Sequence, residues 1–259
     1  MIAIARVFES EWLKSRHSLA SWLVLGGSLF TPLVIVIARL AQHERLPRIY
    51  AASGFWTSLW QSSWQSMAIF FLPLFAILAT SLITQIEHRN NAWKQVHALP
   101  LGLGAIFFSK LGVIVLLLVL FFALFNAGIW LSAIIPCQLV AAVSCPRGPL
   151  PFAQFLQDDM RYFVDCLPIV ALQYLLGLRF RNFLVPLGSG FLLWISALAA
   201  LPWKFGYLIP YTYGMLDYLR NDPGKAFIPT VDIQRFALGY ALVFTAAGYA
   251  LFSGMKERG

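Results

Sequence analysis

Charged residues are scarce in this chain. Only 12% of its 259 residues are Asp, Glu, Lys or Arg, whereas 59% are apolar, and its mean hydropathy is +0.73. A water-soluble domain carries roughly twice that share of charged residues on average. The composition therefore excludes a soluble globular protein and predicts a membrane protein.

Motifs that bind nucleotides or metals are also missing. The sequence has no Gly-x-x-x-x-Gly-Lys-Ser/Thr loop and no His-Glu-x-x-His pair, and its four histidines are not spaced as metal ligands. No basic patch with interleaved aromatic residues suggests nucleic-acid binding. We therefore expect no cofactor or metal on this chain, no nucleic-acid partner and no enzymatic activity.

Long apolar runs dominate the sequence instead. A helix needs about 20 apolar residues to cross roughly 30 Å of hydrocarbon. Six runs approach that length, near Leu19–Ala38, Ser66–Ile86, Phe107–Ile134, Tyr162–Leu178, Phe183–Leu201 and Phe236–Gly254. The predicted fold is an all-α polytopic membrane protein with six transmembrane helices, forming one membrane domain over residues 1–259.

Basic residues in short loops predict the orientation. Arg179 and Arg181 lie in a tight loop between the fourth and fifth runs, and further basic residues flank both termini. Basic residues are enriched on the cytoplasmic side of membrane proteins. We expect both termini in the cytoplasm and the chain in a bacterial inner membrane. No small-residue cleavage site follows the first run, so we expect that run to remain as an uncleaved insertion signal.

The first 16 residues are predicted to form an amphipathic helix in the layer of lipid headgroups. Apolar residues recur at helical spacing up to Trp12, and Glu11 and Lys14 are spaced to pair across one turn. Trp12 suits the membrane interface. A frayed cytoplasmic tail is the alternative.

Two stretches on the outer side are rich in aromatic residues. The longer one, residues 202–235, contains seven aromatic residues, four prolines and three glycines. Short re-entrant or interfacial helices would satisfy such a loop. The other, Gln42–Gln65, is predicted as an outer loop with an aromatic belt. Membrane anchoring alone is the alternative for both.

A polar cluster lies where the fourth span is predicted to begin on the outer side. It consists of Asp158, Asp159, Arg161 and Asp165. Acidic groups are favourable at the N-terminus of a helix, and Arg161 and Asp165 could pair at i,i+4. The other reading is an outer gate or substrate rim.

Two of the three cysteines, Cys137 and Cys145, fall in the predicted second outer loop. In an oxidising compartment they could form a disulfide, although spacing does not fix the geometry that a disulfide needs.

A polar insert separates the second and third apolar runs. It extends from Glu87 to Pro100, and Lys110 follows within the third run. An amphipathic segment that ends at a proline can project as a short helix from the membrane surface. A solvated turn helix without a partner is the alternative.

Three segments carry a resemblance to a known family. They are Glu11–Lys14, the insert with Lys110, and Gln173–Gly190. With them, the chain resembles permeases of the ABC-2 type, and within these the branch associated with lantibiotic immunity and export.

The resemblance implies a cytoplasmic coupling loop over residues 87–104. Its helix would dock into an ABC ATPase subunit through Glu87, Asn91, Trp93, Lys94, Leu99 and Pro100. Trp93 suits a buried anchor. One departure lies beside the site, because family members often carry a basic residue just after the proline, whereas Leu101–Gly104 is uncharged.

Further partners also follow from the resemblance. ATP and Mg would bind to the ATPase subunits, and a second permease, identical or homologous, would complete the pathway in the lipid bilayer. The favoured function is the permease subunit of an exporter that moves an amphipathic substrate outward, with a peptide antibiotic as the expected cargo. The alternative is a membrane anchor or sensor subunit without transport, and an intramembrane enzyme is the least expected reading.

Overall fold

The structure is a computed structural model that describes residues 2–89, 102–140, 143–146, 148–220 and 231–254. Within these ranges the chain is helical and contains no strand. The α-helices are α1 (Ile2–Ser15), α2 (Leu19–Ala41), α3 (Leu46–Ala51), α4 (Phe55–Ser66), α5 (Leu72–Arg89), α6 (Leu103–Leu139), α7 (Phe152–Arg179), α8 (Leu184–Ala200), α9 (Tyr213–Arg220) and α10 (Ile233–Gly254).

Five helices in these ranges are long and apolar enough to cross a membrane. They are Leu19–Ala41, Phe55–Ile86, Leu103–Leu139, Phe152–Arg179 and Ile233–Gly254. The fifth predicted span corresponds to α8, an apolar helix of 17 residues. An integral membrane protein with at least five candidate spans is therefore shown.

Large apolar side chains on the outside of the bundle support the same assignment. Leu25, Phe30, Leu242 and Val243 are exposed on α2 and α10. Soluble monomers rarely expose apolar patches of this kind. Helix α2 packs along α6, and α10 packs along α7, so their free sides suit contact with lipid.

Two of the predicted boundaries are wrong. The expected outer loop Gln42–Gln65 contains α3 and α4, and α4 continues through a π-helical turn (Met67–Phe71) into α5. The fourth span begins at Phe152 rather than near Tyr162. Both missed stretches are rich in Ser, Gln or Asp, which lowers their hydropathy although their aromatic residues pack inward.

Short helices occur in residues 202–220, the described part of the stretch before residue 231. Two 3₁₀ turns, Gly206–Leu208 and Pro210–Thr212, lead into α9. The Tyr211 hydroxyl accepts a hydrogen bond of 2.7 Å from Gln173 on α7, which holds this stretch against the bundle. Tyr211 is fully buried, so the stretch is part of the packed domain.

Proline positions explain two contacts between distant elements. Pro73 has no N–H to donate to the carbonyl of Ile69, four residues earlier, and the indole Nε1 of Trp194 on α8 donates to that carbonyl at 3.0 Å. Pro136 likewise cannot donate to the carbonyl of Ser132, to which Arg39 on α2 donates at 3.0 Å. In both cases a side chain from another helix supplies the hydrogen bond.

The structure joins Cys137 and Cys145 as a disulfide, with 5.2 Å between their Cα atoms. It links the last turn of α6 to the loop before α7. Cys166, the third cysteine, is buried and free.

Replacing Trp194 with Phe keeps the ring and removes the N–H that reaches the Ile69 carbonyl. We expect a loss of about 1 kcal/mol in the free energy of unfolding, because a part-buried carbonyl loses its side-chain donor. Denaturant unfolding in detergent micelles measures the loss. Trp22→Phe, at an exposed position of α2, is the matched control, and equal stability of both variants would contradict the assignment.

Thiol titration of the denatured protein tests the cysteine pairing. Without reductant we expect one reactive thiol, from Cys166, and with reductant all three cysteines. Three thiols without reductant, in protein isolated under conditions that block exchange, would show that the pair is not formed.

Candidate functional site: the ion pair between α1 and α6 and the polar residues of α7

Helix α1 packs against the first turns of α6. Phe8 of α1 lies so close to Gly112 that a Cβ atom at position 112 would stand 3.2 Å from the Phe8 ring. A residue without a side chain at this point of α6 lets the two helices approach. The amphipathic helix is therefore anchored to the third long helix as well as to the start of α2.

A buried ion pair joins the same two helices. The Glu11 carboxylate accepts a hydrogen bond from the Lys110 ammonium of α6, and its other oxygen lies 2.7 Å from Lys14 Nζ. Lys110 is only 2% exposed and Glu11 is 7% exposed. A buried charge of this kind is tolerated because its partner and hydrogen bonds accompany it.

The turn between α1 and α2 is held by serine side chains. The hydroxyls of Ser18 and Ser21 both donate to the carbonyl of Ser15, at 2.6 and 2.7 Å. This carbonyl lies at the C-terminus of α1, where carbonyl groups have no N–H donor within the helix. The angle at which α1 meets α2 is thereby fixed, and Glu11 with it.

The pKa of Glu11 reflects two opposed effects. Burial by itself raises the pKa of this carboxyl, whereas the charges and hydrogen bonds of Lys110 and Lys14 lower it, and the net pKa is lowered. The carboxylate is therefore charged at neutral pH. Its contribution to stability is complete above the pKa of an unfolded glutamate, about 4.3, and is lost as the pH falls through the lowered folded value.

Other helices end at the same end of the bundle. The hydroxyl of Tyr174, near the end of α7, donates to the Phe107 carbonyl at 3.0 Å. The Phe107 ring also contacts Tyr249 and Phe252 in the last turns of α10. The first turns of α6 are thus surrounded by α1, the end of α7 and the end of α10.

Most of the predicted coupling residues cannot be placed. Asn91, Trp93, Lys94, Leu99 and Pro100 fall outside the described residues. Glu87 belongs to the last turn of α5, where the structure describes the backbone. Of the predicted interfacial residues, Trp12 packs against the core and Lys14 pairs with Glu11.

The four predicted outer residues divide into two groups. Asp158 accepts a hydrogen bond of 3.3 Å from the Trp60 indole, and Arg161 pairs with it at 3.8 Å. Asp159 lines a neighbouring cavity. Asp165 is 1% exposed, and its carboxyl group contacts a different set of residues. Arg161 therefore pairs with Asp158 rather than with Asp165, because the carboxyl of Asp165 is enclosed by other elements.

Asp165 belongs to a buried cluster that the sequence did not indicate. Gln234, in the first turn of α10, donates to Asp217 of α9 at 2.8 Å and to Asp165 at 3.4 Å. Burial raises the pKa of Asp217, against the opposing charges of Arg220 and Arg161. This cluster ties α7, α9 and α10 together.

One signal could have pointed to Asp217. It is the sole acidic residue of residues 202–220, a stretch otherwise rich in aromatic residues, and such a residue usually has a buried partner. The sequence alone could not identify its partner, because Asp165 lies 52 positions earlier in the chain. The helix-terminus explanation for the acidic residues is wrong, since Asp158 is already well inside α7.

A family comparison supplies the identity. The family model described as ABC-2 family transporter protein matches residues 7–197, which include most of α1, all of α2 to α7 and most of α8. The chain belongs to the ABC-2 transporter family. The ion pair between α1 and α6 lies inside the matched region. No curated protein matches the chain.

Membership in this family indicates the general role of the chain. ABC-2 proteins of this kind are membrane components of ABC transporters, act with ABC ATPase partners and are not themselves catalytic. In this ABC-2 protein the described residues contain no group of three or more metal-binding side chains.

Replacing Glu11 with Gln leaves the Lys110 ammonium buried without its carboxylate. We expect a loss of about 3 kcal/mol in the free energy of unfolding at neutral pH. The difference from the wild type should shrink as the pH falls below about 4, where the carboxylate takes up a proton. Denaturant unfolding in micelles across this pH range measures both effects.

Glu9→Gln, on the exposed side of the same helix, is the matched control and should stay within about 0.5 kcal/mol of the wild type. Combining Glu11→Gln with Lys110→Met should cost less than the sum of the single changes. Additive costs would mean that the two residues do not stabilise each other.

Proposed function

We propose that this chain is the permease subunit of an ABC exporter that moves an amphipathic substrate outward, with ATP hydrolysis on a separate subunit. The observation that carries the proposal is the buried pair between Glu11 and Lys110. It links the amphipathic helix α1 to the first turns of α6, directly after the segment 87–101. A movement imposed on that segment reaches α1 and α6 together.

The position of the segment supports a docking role. It connects the end of α5 at Arg89 to the start of α6 at Leu103. Helix α6 continues for 37 residues from this point, which is long enough to carry a displacement across the membrane. Trp93 is the proposed anchor in the ATPase, and Glu87 and Lys94 orient the contact.

Six crossings fit the path of the chain better than five. Helix α8 starts after the short turn at Asn182 and ends at Ala200, close to Gly206 in the outer stretch. Its 17 residues span about 25 Å. With α8 as a crossing, both termini lie on one side, and the basic residues near them favour the cytoplasm of a bacterial cell.

The surface suits an apolar or amphipathic cargo more than an ion. The long helices expose many large apolar residues and few charges. A peptide antibiotic, exported or removed from the producer's own membrane, is the proposed cargo class. A second permease, identical or homologous, would provide the other half of the pathway.

Replacing Trp93 with Ala tests the docking role. The tagged chain is purified from membranes of its native host, and co-purified ABC ATPase is quantified by mass spectrometry. We expect a loss of about tenfold or more in the recovered ATPase, because an aromatic anchor contributes about 2 kcal/mol or more at the centre of an interface.

Trp203→Ala, an exposed tryptophan of the outer stretch, is the matched control and should recover as much ATPase as the wild type. Full recovery with Trp93→Ala would reject Trp93 as the anchor. Absence of any ABC ATPase with the wild-type chain would favour the anchor or sensor alternative.

A further inference from the structure

A cavity of about 240 Å³ opens at the outer end of the bundle, between α4, α6 and the start of α7. Its walls include Trp56, Trp60, Trp130, Phe152 and Phe155, together with Asp159. This volume is smaller than that of typical drug-sized sites, about 300–1,000 Å³. It suits a single side chain or headgroup rather than a whole ligand.

The inner wall of the cavity is fixed. Trp60 and Phe155 stack with their ring centres 4.0 Å apart. The Trp60 indole donates to Asp158 at 3.3 Å, and the Trp56 indole donates to the Gly148 carbonyl at 3.1 Å. Rings held in this way need little further ordering when a ligand binds.

The loop that roofs the cavity is also restrained. Leu150 lines the cavity, and Gly148 accepts the Trp56 hydrogen bond. The disulfide from Cys137 to Cys145 ties the same loop to the end of α6. The cavity therefore has a defined wall on each of its protein sides, with Trp130 and Phe152 exposed at its rim.

Asp159 is the acidic residue among the described residues that line this cavity, and its carboxyl group shares a hydrogen bond with the Asn126 side chain. Among the residues that the structure describes, no cation lies within ion-pair distance of it, and its buried Oδ1 atom has no hydrogen-bond partner. Asp158 differs, because Arg161 and Trp60 already contact it. A partly buried carboxylate of this kind favours a cation beside it.

The aromatic walls favour the same kind of group. The face of an indole or phenyl ring attracts a cation, most strongly where water is excluded. A ring-lined cavity with one carboxylate therefore matches an ammonium or guanidinium group on an apolar stem. The exposed rings at the rim suit the apolar part of the molecule that carries it.

We propose that this cavity binds a lysine side chain of a cationic amphipathic peptide at the outer surface of the protein. The proposal rests on the proposed function and names the substrate chemistry for it. An aminophospholipid headgroup would bring a phosphate next to its ammonium. No basic side chain lies among the described residues that line the cavity, so that phosphate would face the carboxylates without compensation.

Binding to the purified chain without any ATPase tests the proposal. The protein is kept in dodecyl maltoside micelles, which carry neither charge nor ammonium. The probe is a synthetic amphipathic leucine–lysine peptide labelled with fluorescein, and its fluorescence anisotropy is measured. Asp159→Asn should weaken binding at least about tenfold, and acetylation of the peptide's lysines should abolish it.

Asp232→Asn is the matched control. It removes one exposed negative charge near the outer end of α10, where Asp232 pairs with Arg235, and should leave peptide binding unchanged. Trp130→Leu is a second variant, at a rim position about half exposed, and it should weaken binding severalfold even if Asp159→Asn fails to fold.

Equal peptide affinity of the wild type, Asp159→Asn and Trp130→Leu would overturn the proposal. So would binding of phosphatidylethanolamine, added to the same micelles, that depends on Asp159 while the peptide does not bind. The peptide assay contains no ATPase, so its failure would not affect the conclusion drawn from Trp93→Ala. Loss of ATPase recovery would likewise not affect the conclusion drawn from peptide binding.

Discussion

Backbone groups inside a bilayer must find their hydrogen bonds within the protein, and this constraint shapes the whole bundle. Without water in the hydrocarbon core, an unsatisfied carbonyl costs several kcal/mol. Prolines create such carbonyls. Here the carbonyls opposite Pro73 and Pro136 are each reached by a side chain from a different helix, Trp194 and Arg39. The positions at which proline interrupts the hydrogen bonds of one helix are thus the positions at which a side chain of another helix is bound.

Side-chain charges obey the same constraint. Lys110 lies deep in the bundle with Glu11 at its ammonium, and Asp165 and Asp217 share Gln234. Each group joins elements that are distant in sequence. The first lies where the start of α6 meets α1 and the ends of α7 and α10, and the second lies midway along α7, where α9 and the first turn of α10 pack against it. A bundle held mainly by apolar contact is therefore also held by polar contacts at two separate places.

Hydropathy predicted much of the fold, because a membrane helix is defined by a run of apolar residues. The long apolar runs correspond to the long helices, and the aromatic, proline-rich stretch before α10 does contain short helices. The starts of α4 and α7 were missed because Ser, Gln and Asp interrupt their aromatic residues. A hydropathy average cannot tell that Trp60 and Phe155 face each other.

The polar contacts were predicted less well. The pair of Glu11 with Lys14 follows from helical spacing and is present. The stronger partner, Lys110, lies 99 residues away in the chain, so helical spacing could not predict it. Arg161 was assigned to Asp165 by the i,i+4 rule, but i,i+3 spacing serves Asp158 equally well. Only the tertiary structure decides between such neighbours, because α9 and α10 enclose Asp165.

Helix α6 has a geometric consequence of its own. Its 37 residues make a rod of about 55 Å, nearly twice the thickness of the hydrocarbon layer. Lys110 lies near one end of this rod, and Trp130 lies toward the other. A tilt of about 10° around its midpoint would carry Lys110 and Trp130, each roughly 15 Å from that midpoint, about 2.5 Å in opposite directions. A small rotation near Lys110 would thus also shift the rim of the cavity at Trp130.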